Sequence, residues 1–241
     1  MAAATVAGGS TAQADCKFQK IAEVPVTMDG LRPLVTAVVN GHEATFVVST
    51  GAFFSSVSPE AAERFGMKKS TAPFGLEVTG LGGVSRDARA VMADSFTFAN
   101  AGFKNIQFLV GGWGGGGSTA GGLGQNIMGP FDVEYDFAHG VMRFFKSAGC
   151  GGSDLAYWAS GMTVSQLSLD SPGAYMREVL ATAHVNGRAI KVKFTSGAGV
   201  SYLDKLAAER AGIQVNAPSV SSAGVIQGAY GKGIETFVAP F

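Results

Sequence analysis

The chain has 241 residues, of which 46% are hydrophobic and 15% charged, a composition that excludes a disordered polypeptide. Eighteen basic and eighteen acidic side chains balance to a formal charge of zero, so charge gives no reason to expect a nucleic acid or an anionic membrane as partner. The 35 glycines, the 17 phenylalanines and the short runs of Val, Phe and Thr favour strands and turns, and no apolar run is long enough to span a membrane.

The N-terminal segment allows two interpretations. Ala12-Gln13-Ala14 has the small-x-small form of a signal-peptidase site, but a basic start and a full apolar stretch are missing. The segment is therefore either the end of a secretory signal or an unstructured Ala/Gly leader. Cys16 and Cys150 would form one disulfide in an exported protein, and are otherwise two unrelated thiols.

A hairpin is the clearest structural signal in the first half. Ile21–Thr27 alternates weakly and predicts an edge strand. Leu34–Val39 and Ala44–Val48 are then joined by Asn40-Gly41, a pair that suits the type I′ turn between twisted strands. The hairpin leads directly into the polar run Ser49-Thr50-Gly51-Ala52.

A short helix and a glycine-rich tip follow. Ser58 is a good N-cap, Pro59 suits the first helical position and Gly66 is a natural stop. Between two strand-like flanks, four residues predict a mobile hairpin tip: Gly80, Leu81, Gly82 and Gly83.

The rest of the first half predicts further strands, around Ser95–Phe98 and Ile106–Val110. The glycine-rich stretch 111–124 predicts a flexible surface loop. A last hairpin turns near His139-Gly140. Asp132, Glu134 and Asp136 alternate along its first strand, which we interpret as a solvated strand face.

An internal repeat organises the chain. Aligning Leu180 with Leu34 without gaps matches Asn-Gly at 40 and 186, Gly-Ala at 51 and 197, and Ala-Ala-Glu-Arg at 61 and 207. The chain ends level with Phe96 of the first copy. We therefore expect the second copy to lack the segment that matches Gln125–Phe145.

With these elements in order, the chain resembles the retropepsin-like aspartic peptidases, in the bacterial form with two tandem copies. The resemblance rests on the hairpin, the hydroxyl-Thr-Gly-Ala run, the short helix, the Gly-rich hairpin and Ile127-Met128-Gly129, which looks like the apolar-apolar-Gly element beside the family's catalytic loop. It implies a mainly β fold, in which two acid-protease β-barrel lobes with short helices are related by a pseudo-two-fold axis and the second lobe is incomplete. We divide the chain into a leader (1–20), a first lobe (21–147), a linker (148–178) and a truncated second lobe (179–241).

The resemblance also implies a site between the lobes. Ser49 and Thr195 stand where the family carries its two catalytic aspartates, which share one proton and activate a water. The implied binding residues lie in the two loops and in the flap that would cover an extended peptide: Thr50, Gly51, Ala52, Ser196, Gly197, Ala198, Gly80, Leu81, Gly82 and Gly83.

The replaced aspartates predict that the sequence as written is inactive. Hydroxyls neither ionise near neutral pH nor relay a proton as a carboxylic pair does, and each lost acid-base group costs about 10²–10⁴-fold in rate. A serine-type mechanism lacks a base, because His42, His139 and His184 lie in or near predicted hairpins. The same histidines give no metal-ligand spacing, so we expect neither metal nor cofactor.

Three functional hypotheses remain. The protein is an aspartic endopeptidase whose catalytic pair has been replaced, a natural non-catalytic relative that binds peptides or proteins, or a purely structural β-domain. The expected partner is an extended peptide or a protein substrate, with no nucleic acid and no membrane. A homodimer is one way to complete the second lobe, and the expected location is the bacterial periplasm or the exterior.

Overall fold

The computed structural model describes residues 16–71, 78–80, 83–85, 89–111, 118–151, 153–164, 167, 179–227 and 233–240. The leader motif Ala12-Gln13-Ala14 and the flap-tip residues Leu81 and Gly82 lie outside these ranges. Strands dominate, which confirms the mainly β prediction. None of the helices among the described residues is long and apolar enough to cross a bilayer.

The elements follow one another in this order: β1 (Lys17–Pro25), β2 (Thr27–Asp29), β3 (Arg32–Val39), β4 (His42–Val48), β5 (Ser56–Val57), α1 (Pro59–Arg64), β6 (Lys68–Ser70), β7 (Val78–Gly80), β8 (Gly83–Ser85), β9 (Arg89–Phe98), β10 (Ala101–Val110), β11 (Gly121–Leu123), α2 (Gln125–Met128), β12 (Asp132–Asp136), a 3₁₀ turn (Phe137–His139), β13 (Val141–Ala148), β14 (Leu180–Val185), β15 (Arg188–Lys193), α3 (Lys205–Arg210), β16 (Ser221–Gln227) and β17 (Gly233–Val238).

The first copy folds as a closed barrel. Six strands pair in the order β3, β4, β11, β5, β10 and β9, and β9 pairs back onto β3 through Val38↔Thr97 and Val39↔Phe96. Alternate side chains point inward, so the barrel is filled by apolar residues, among them Phe46, Phe96 and Phe108, which are fully buried. Edge-on aromatic contacts such as Phe96 with Phe108, at 5.6 Å between ring centroids, fix the packing.

Strand β11 corrects two sequence expectations. The stretch expected to be a surface loop ends in this buried strand, which lies parallel to β4 and antiparallel to β5. A Cβ on Gly121 would lie 1.9 Å from the Ser56 carbonyl oxygen, so only glycine fits between the two strands. The element beside the site loop is therefore Gly121–Leu123, whereas Ile127 and Met128 belong to α2 and pack into the core.

The two sequence copies adopt the same local structure. Asn40 and Asn186 take left-handed φ angles of 48° and 49°, as the Asn-Gly turn requires. Each asparagine also donates from Nδ2 to the carbonyl that ends the following helix, Phe65 at 2.9 Å and Ala211 at 3.1 Å. The repeat predicted from the alignment is thus a repeat of backbone geometry and of side-chain contacts.

The helix caps repeat as well, although the capping residue changes. Ser58 Oγ accepts from the Ala61 amide at 3.0 Å, and Asp204 Oδ1 accepts from the Ala207 amide at 2.9 Å. Both oxygens satisfy an amide that the first helical turn leaves free. The predicted helix after Ser58 is confirmed, and α3 is its counterpart.

A three-stranded sheet closes the ends of the first copy. Strands β1 and β12 flank β13 in antiparallel pairing. A disulfide joins Cys16, just before β1, to Cys150, just after β13. Of the two alternatives for the cysteines, the structure shows the pair.

Two of the three carboxylates on β12, Glu134 and Asp136, are held by one arginine, whereas Asp132 is exposed as expected. Arg143 donates to Glu134, to Asp136 at 3.1 Å and to Glu23 at 3.0 Å. His139 lies 2.7 Å from the other oxygen of Asp136. The hydrogen bond with His139 and those from Arg143 hold the pKa of Asp136 below its ordinary value.

The second copy is smaller in its described residues. Strands β14 and β15 form one two-stranded sheet, and β16 and β17 form another. A small cluster of buried residues supports them: Ile190, Ala207, Ala208, Ala211 and Ile213. Phe194 is 44% exposed, whereas the matching Val48 of the first copy is fully buried. The described second copy thus lacks the cover that β11 and β5 give the first.

The disulfide should carry a large share of the stability. Replacing Cys16 and Cys150 together by Ser should lower the free energy of unfolding by about 3–5 kcal/mol, because the bridge closes a long loop of the unfolded chain. Urea unfolding of both proteins measures the difference, and reductant should shift only the parent protein. Equal midpoints for the parent and the double variant would contradict this role.

The ion pairs of Arg143 with Glu23, Glu134 and Asp136, here called the arginine cluster, should make the free energy of unfolding depend on pH. A carboxyl whose pKa is lower in the folded state contributes stability above its unfolded pKa, and this contribution is lost as the pH falls through the folded pKa. We therefore expect the urea midpoint to fall below about pH 4, and Arg143→Met to weaken that dependence.

The matched control for this test is Lys68→Met, which removes an exposed ion pair with Asp94 on another sheet. It should leave the acid dependence unchanged. An Arg143→Met protein with the acid dependence of the parent would show that the cluster does not act on Asp136.

Candidate active site

The first site loop begins where β4 ends. Val48 is fully buried at the end of the strand, and Ser49 and Thr50 remain buried after it. The Ser49 amide donates to the Leu123 carbonyl of β11 at 2.9 Å, which extends the strand pairing into the loop. The loop is therefore anchored on the barrel side before it turns toward the second copy.

Four hydrogen bonds join this loop to its counterpart in the second copy. The Thr50 amide donates to Ser196 Oγ at 3.2 Å, and the Ser196 amide donates to Thr50 Oγ1 at 3.1 Å. Each hydroxyl then donates across to a carbonyl that ends the other hairpin, Thr50 Oγ1 to Phe194 at 3.0 Å and Ser196 Oγ to Val48 at 2.7 Å. The pattern is reciprocal, so the two loops form one pseudo-symmetric unit.

The glycines of the two loops allow this close approach. A Cβ on Gly51 would lie 2.6 Å from the Cβ of Thr195, and a Cβ on Gly197 would lie 3.1 Å from the Oγ of Ser49. Gly51 of the first loop thus faces Thr195 of the second, and Gly197 of the second loop faces Ser49 of the first. Ser49 and Thr195 are brought to the same centre, as the repeat predicts.

The two central residues differ in environment. Ser49 is buried, whereas Thr195 is exposed and its Oγ1 accepts from the Gly197 amide at 3.2 Å. Both side chains can donate and accept hydrogen bonds, but neither holds a proton that titrates in the working range of a peptidase. The centre therefore offers hydrogen-bond donors and acceptors from two hydroxyls.

Hydrogen bonds among Ser55, Gly124 and Asn126 support the first loop on the side that faces α2. Ser55 is fully buried, and its Oγ donates to Asn126 Oδ1 at 2.8 Å while accepting from the Gly124 amide at 2.9 Å. The Ser55 amide also donates to Asn126 Oδ1 at 2.8 Å. Because every contact joins the stretch after the site loop to α2, the loop cannot shift without breaking buried hydrogen bonds.

Gln125 adds a contact from the same side. Its side chain is buried, and its Nε2 donates to the Thr50 carbonyl at 3.3 Å, while its amide donates to the Ala52 carbonyl at 2.9 Å. Tyr135 of β12 donates its hydroxyl to Met128 Sδ of α2 at 3.9 Å, and burial raises the pKa of this tyrosine to about 12. The phenol therefore stays neutral at any working pH.

The remaining residues of the predicted site take separate positions. Ala52 and Ala198 are half-buried beside the two loop glycines. Gly80 pairs with Gly83 in a two-stranded sheet of its own, formed by β7 and β8. The hairpin flanks of the expected flap are thus present. In the described part of the chain, no three His, Cys, Asp or Glu residues are grouped to hold a metal ion.

Sequence reasoning missed Ser55, Gln125 and Asn126. All three are polar and lie next to apolar stretches, where they look like ordinary turn residues. Their partners lie 69 to 75 residues away in the chain. The only local signal is Gly124, whose Cβ would lie 2.7 Å from the Phe53 carbonyl and which marks a close backbone approach.

Comparison with known proteins agrees with this geometry. Residues 35–129 match the family model described as aspartyl protease. The match spans most of the first copy and no part of the second, so the likeness to this family is one of the first copy. No curated protein matches the chain significantly.

Among the solved structures that match is a retropepsin-like aspartic protease from Rickettsia conorii, 21% identical, with a TM-score of 0.37. The alignment covers 56% of this chain and 96% of that one.

The contact between the loops should not tolerate a side chain at Gly51. Gly51→Ala should lower the free energy of unfolding by about 1–3 kcal/mol, because the new methyl group would overlap Thr195. Adding Thr195→Gly should recover most of the loss by removing the overlapping atoms. Thermal or urea unfolding measures both effects.

Gly102→Ala is the matched control, since a Cβ there meets no atom within 4 Å. It should change the stability by about 0.5 kcal/mol or less. If Gly51→Ala were as mild as Gly102→Ala, the two loops would not lie in contact in solution.

Proposed function

We propose that this chain binds extended peptides between its two copies and, with hydroxyls at both central positions, does not cleave them. The observation that carries the proposal is the reciprocal hydrogen bonding of Thr50 and Ser196, which keeps the scaffold of a two-loop site while Ser49 and Thr195 occupy its centre. These hydrogen bonds hold the two loops in the arrangement that a peptide lying between the copies would contact.

The chemistry of the centre supports binding without cleavage. Peptide hydrolysis by this family needs one carboxylate to take a proton from water and one carboxylic acid to give a proton to the scissile carbonyl. Two hydroxyls supply neither step. With about 10²–10⁴-fold lost for each group, the residual rate should be undetectable.

The flap hairpin supports an extended ligand. Among the described residues, strands β7 and β8 pair as a short two-stranded ribbon that is separate from the larger sheets. Such a ribbon can add its backbone hydrogen bonds to a peptide in strand conformation, and this mode of binding depends little on the peptide sequence.

The second candidate is an endopeptidase in which both catalytic aspartates have been replaced, so that the sequence as written no longer cleaves. Two different hydroxyl residues occupy equivalent positions, Ser49 and Thr195, while the surrounding loop residues match between the copies. This pattern suits a pair of substitutions in an otherwise intact site. Both candidates bind an extended peptide between the copies. They differ only in whether the site cleaves that peptide once aspartates stand at positions 49 and 195.

The proposal also includes export of the protein to an oxidising compartment and its association with a second chain. The disulfide between Cys16 and Cys150 supports an oxidising compartment such as the bacterial periplasm or the exterior. The exposed Phe194 and Leu203 lie where the first copy has buried Val48 and Val57, which supports a second chain as cover for the second copy.

Restoring the carboxylates separates the two candidates. If the centre is an otherwise intact peptidase site, Ser49→Asp combined with Thr195→Asp should cleave a peptide library at mildly acidic pH, and pepstatin should inhibit the cleavage. Mass spectrometry of the products reads the result. Either single substitution alone is the control and should stay inactive, because one carboxyl cannot fill both roles.

Peptide binding is measured on the unmodified chain in parallel. Saturable binding without cleavage supports the proposal, and cleavage by the unmodified chain would contradict it. A folded double variant that binds peptides but does not cleave them would exclude the endopeptidase candidate and leave the binding protein.

A further inference from the structure

Gln125 is placed to control one peptide bond of the site. Its backbone is fixed first, because its amide and that of Asn126 donate to the Ala52 and Phe53 carbonyls at 2.9 and 2.8 Å. Its side chain is only 7% exposed and reaches the Thr50 carbonyl with Nε2 at 3.3 Å. Three contacts from α2 thus run along one side of the loop.

The orientation of this carbonyl determines the orientation of the next amide. A trans peptide bond is planar, with its C=O and N–H pointing in opposite directions. When the Thr50 carbonyl points to Gln125, the Gly51 N–H points away from it. Gly51 is also the residue whose added Cβ would meet Thr195 of the second copy, so it lies at the contact between the loops.

We propose that Gln125 is a positioning residue, which holds the Thr50–Gly51 peptide so that the Gly51 N–H is presented to a bound peptide. This inference rests on the proposed peptide-binding function and adds to it a residue outside both site loops. The Gln125 side chain is buried, with 7% of its surface exposed, which limits the positions open to its amide.

The chemistry of the side chain explains why a primary amide suits the position. A buried carbonyl without a donor is costly, and an amide supplies a neutral donor without burying a charge. A methionine of similar length would leave the Thr50 carbonyl without that partner. An ionised carboxylate would repel the carbonyl oxygen, whereas a protonated carboxyl would again donate to it.

The test uses two variants of the full chain, Gln125→Met and Gln125→Glu. NMR should show the Thr50 carbonyl carbon and the Gly51 amide shifted in Gln125→Met, with β14 and β15 unchanged. Peptide affinity should fall about ten-fold, which corresponds to the loss of one hydrogen bond. In Gln125→Glu the affinity should recover as the pH falls and the buried carboxyl takes a proton.

Val24→Ala is the matched control, because it removes buried apolar volume in β1 and lowers stability without touching the site. It should keep the parent affinity and show no recovery in acid. This recovery is the readout that a merely structural role for Gln125 would not produce.

The outcomes separate this inference from the proposed function. If the parent chain binds peptides and Gln125→Met binds them equally well, Gln125 does not position the site and the function stands. If no peptide binds the parent, the proposed function fails, and the NMR shifts still decide whether Gln125 orients the Thr50–Gly51 peptide. Unshifted signals in Gln125→Met overturn the inference in either case.

Discussion

The reciprocal hydrogen bonds between Thr50 and Ser196 are the constraint on which the site depends. They connect residues 146 positions apart and are the point where two similar loops become one pseudo-symmetric unit. Ordering a long stretch of chain to make these contacts is entropically costly, so they must act together with other interactions. Gly51 makes them feasible, because a Cβ there would lie 2.6 Å from the Cβ of Thr195, and Gly197 fits closely against Ser49, where a Cβ would lie 3.1 Å from Oγ.

The two copies support this contact unequally. The first copy has a filled barrel, a network under the loop and a disulfide that closes its ends. The second copy, in its described residues, has a small cluster and exposed apolar side chains such as Phe194. We expect the first copy to act as a rigid support and the second to gain order from the contact between the loops. Ligands that bridge both loops should therefore stabilise the second copy most.

Much of the fold could be predicted because the signals were local and occurred twice. Asn40 and Asn186 fix the same turn, and Ser58 and Asp204 begin the same helix, one by a hydroxyl and the other by a carboxylate. The loop pair Thr50 and Ser196 followed from the alignment of the copies. The two cysteines could be counted but not paired from sequence alone.

The missed features depend on contacts between distant residues. Two of the three residues of strand β11 are glycines, a residue type that is depleted in strands. The strand forms because it fits the space between β4 and β5 and pairs with both. Gln125 gives no sequence signal, since the carbonyl that its side chain contacts lies 75 residues away in the chain. The ion pairs of Arg143 likewise join β1 and β12 to β13.

A double-mutant cycle on Thr50→Val and Ser196→Ala tests most directly whether the two copies form one site. Each single variant and the double variant are unfolded in urea, and the coupling energy is taken from the four free energies of unfolding. Because the two residues share reciprocal hydrogen bonds, a coupling of about 1–3 kcal/mol is predicted. Additive losses would contradict the central claim, since they would mean that the two loops do not meet in solution.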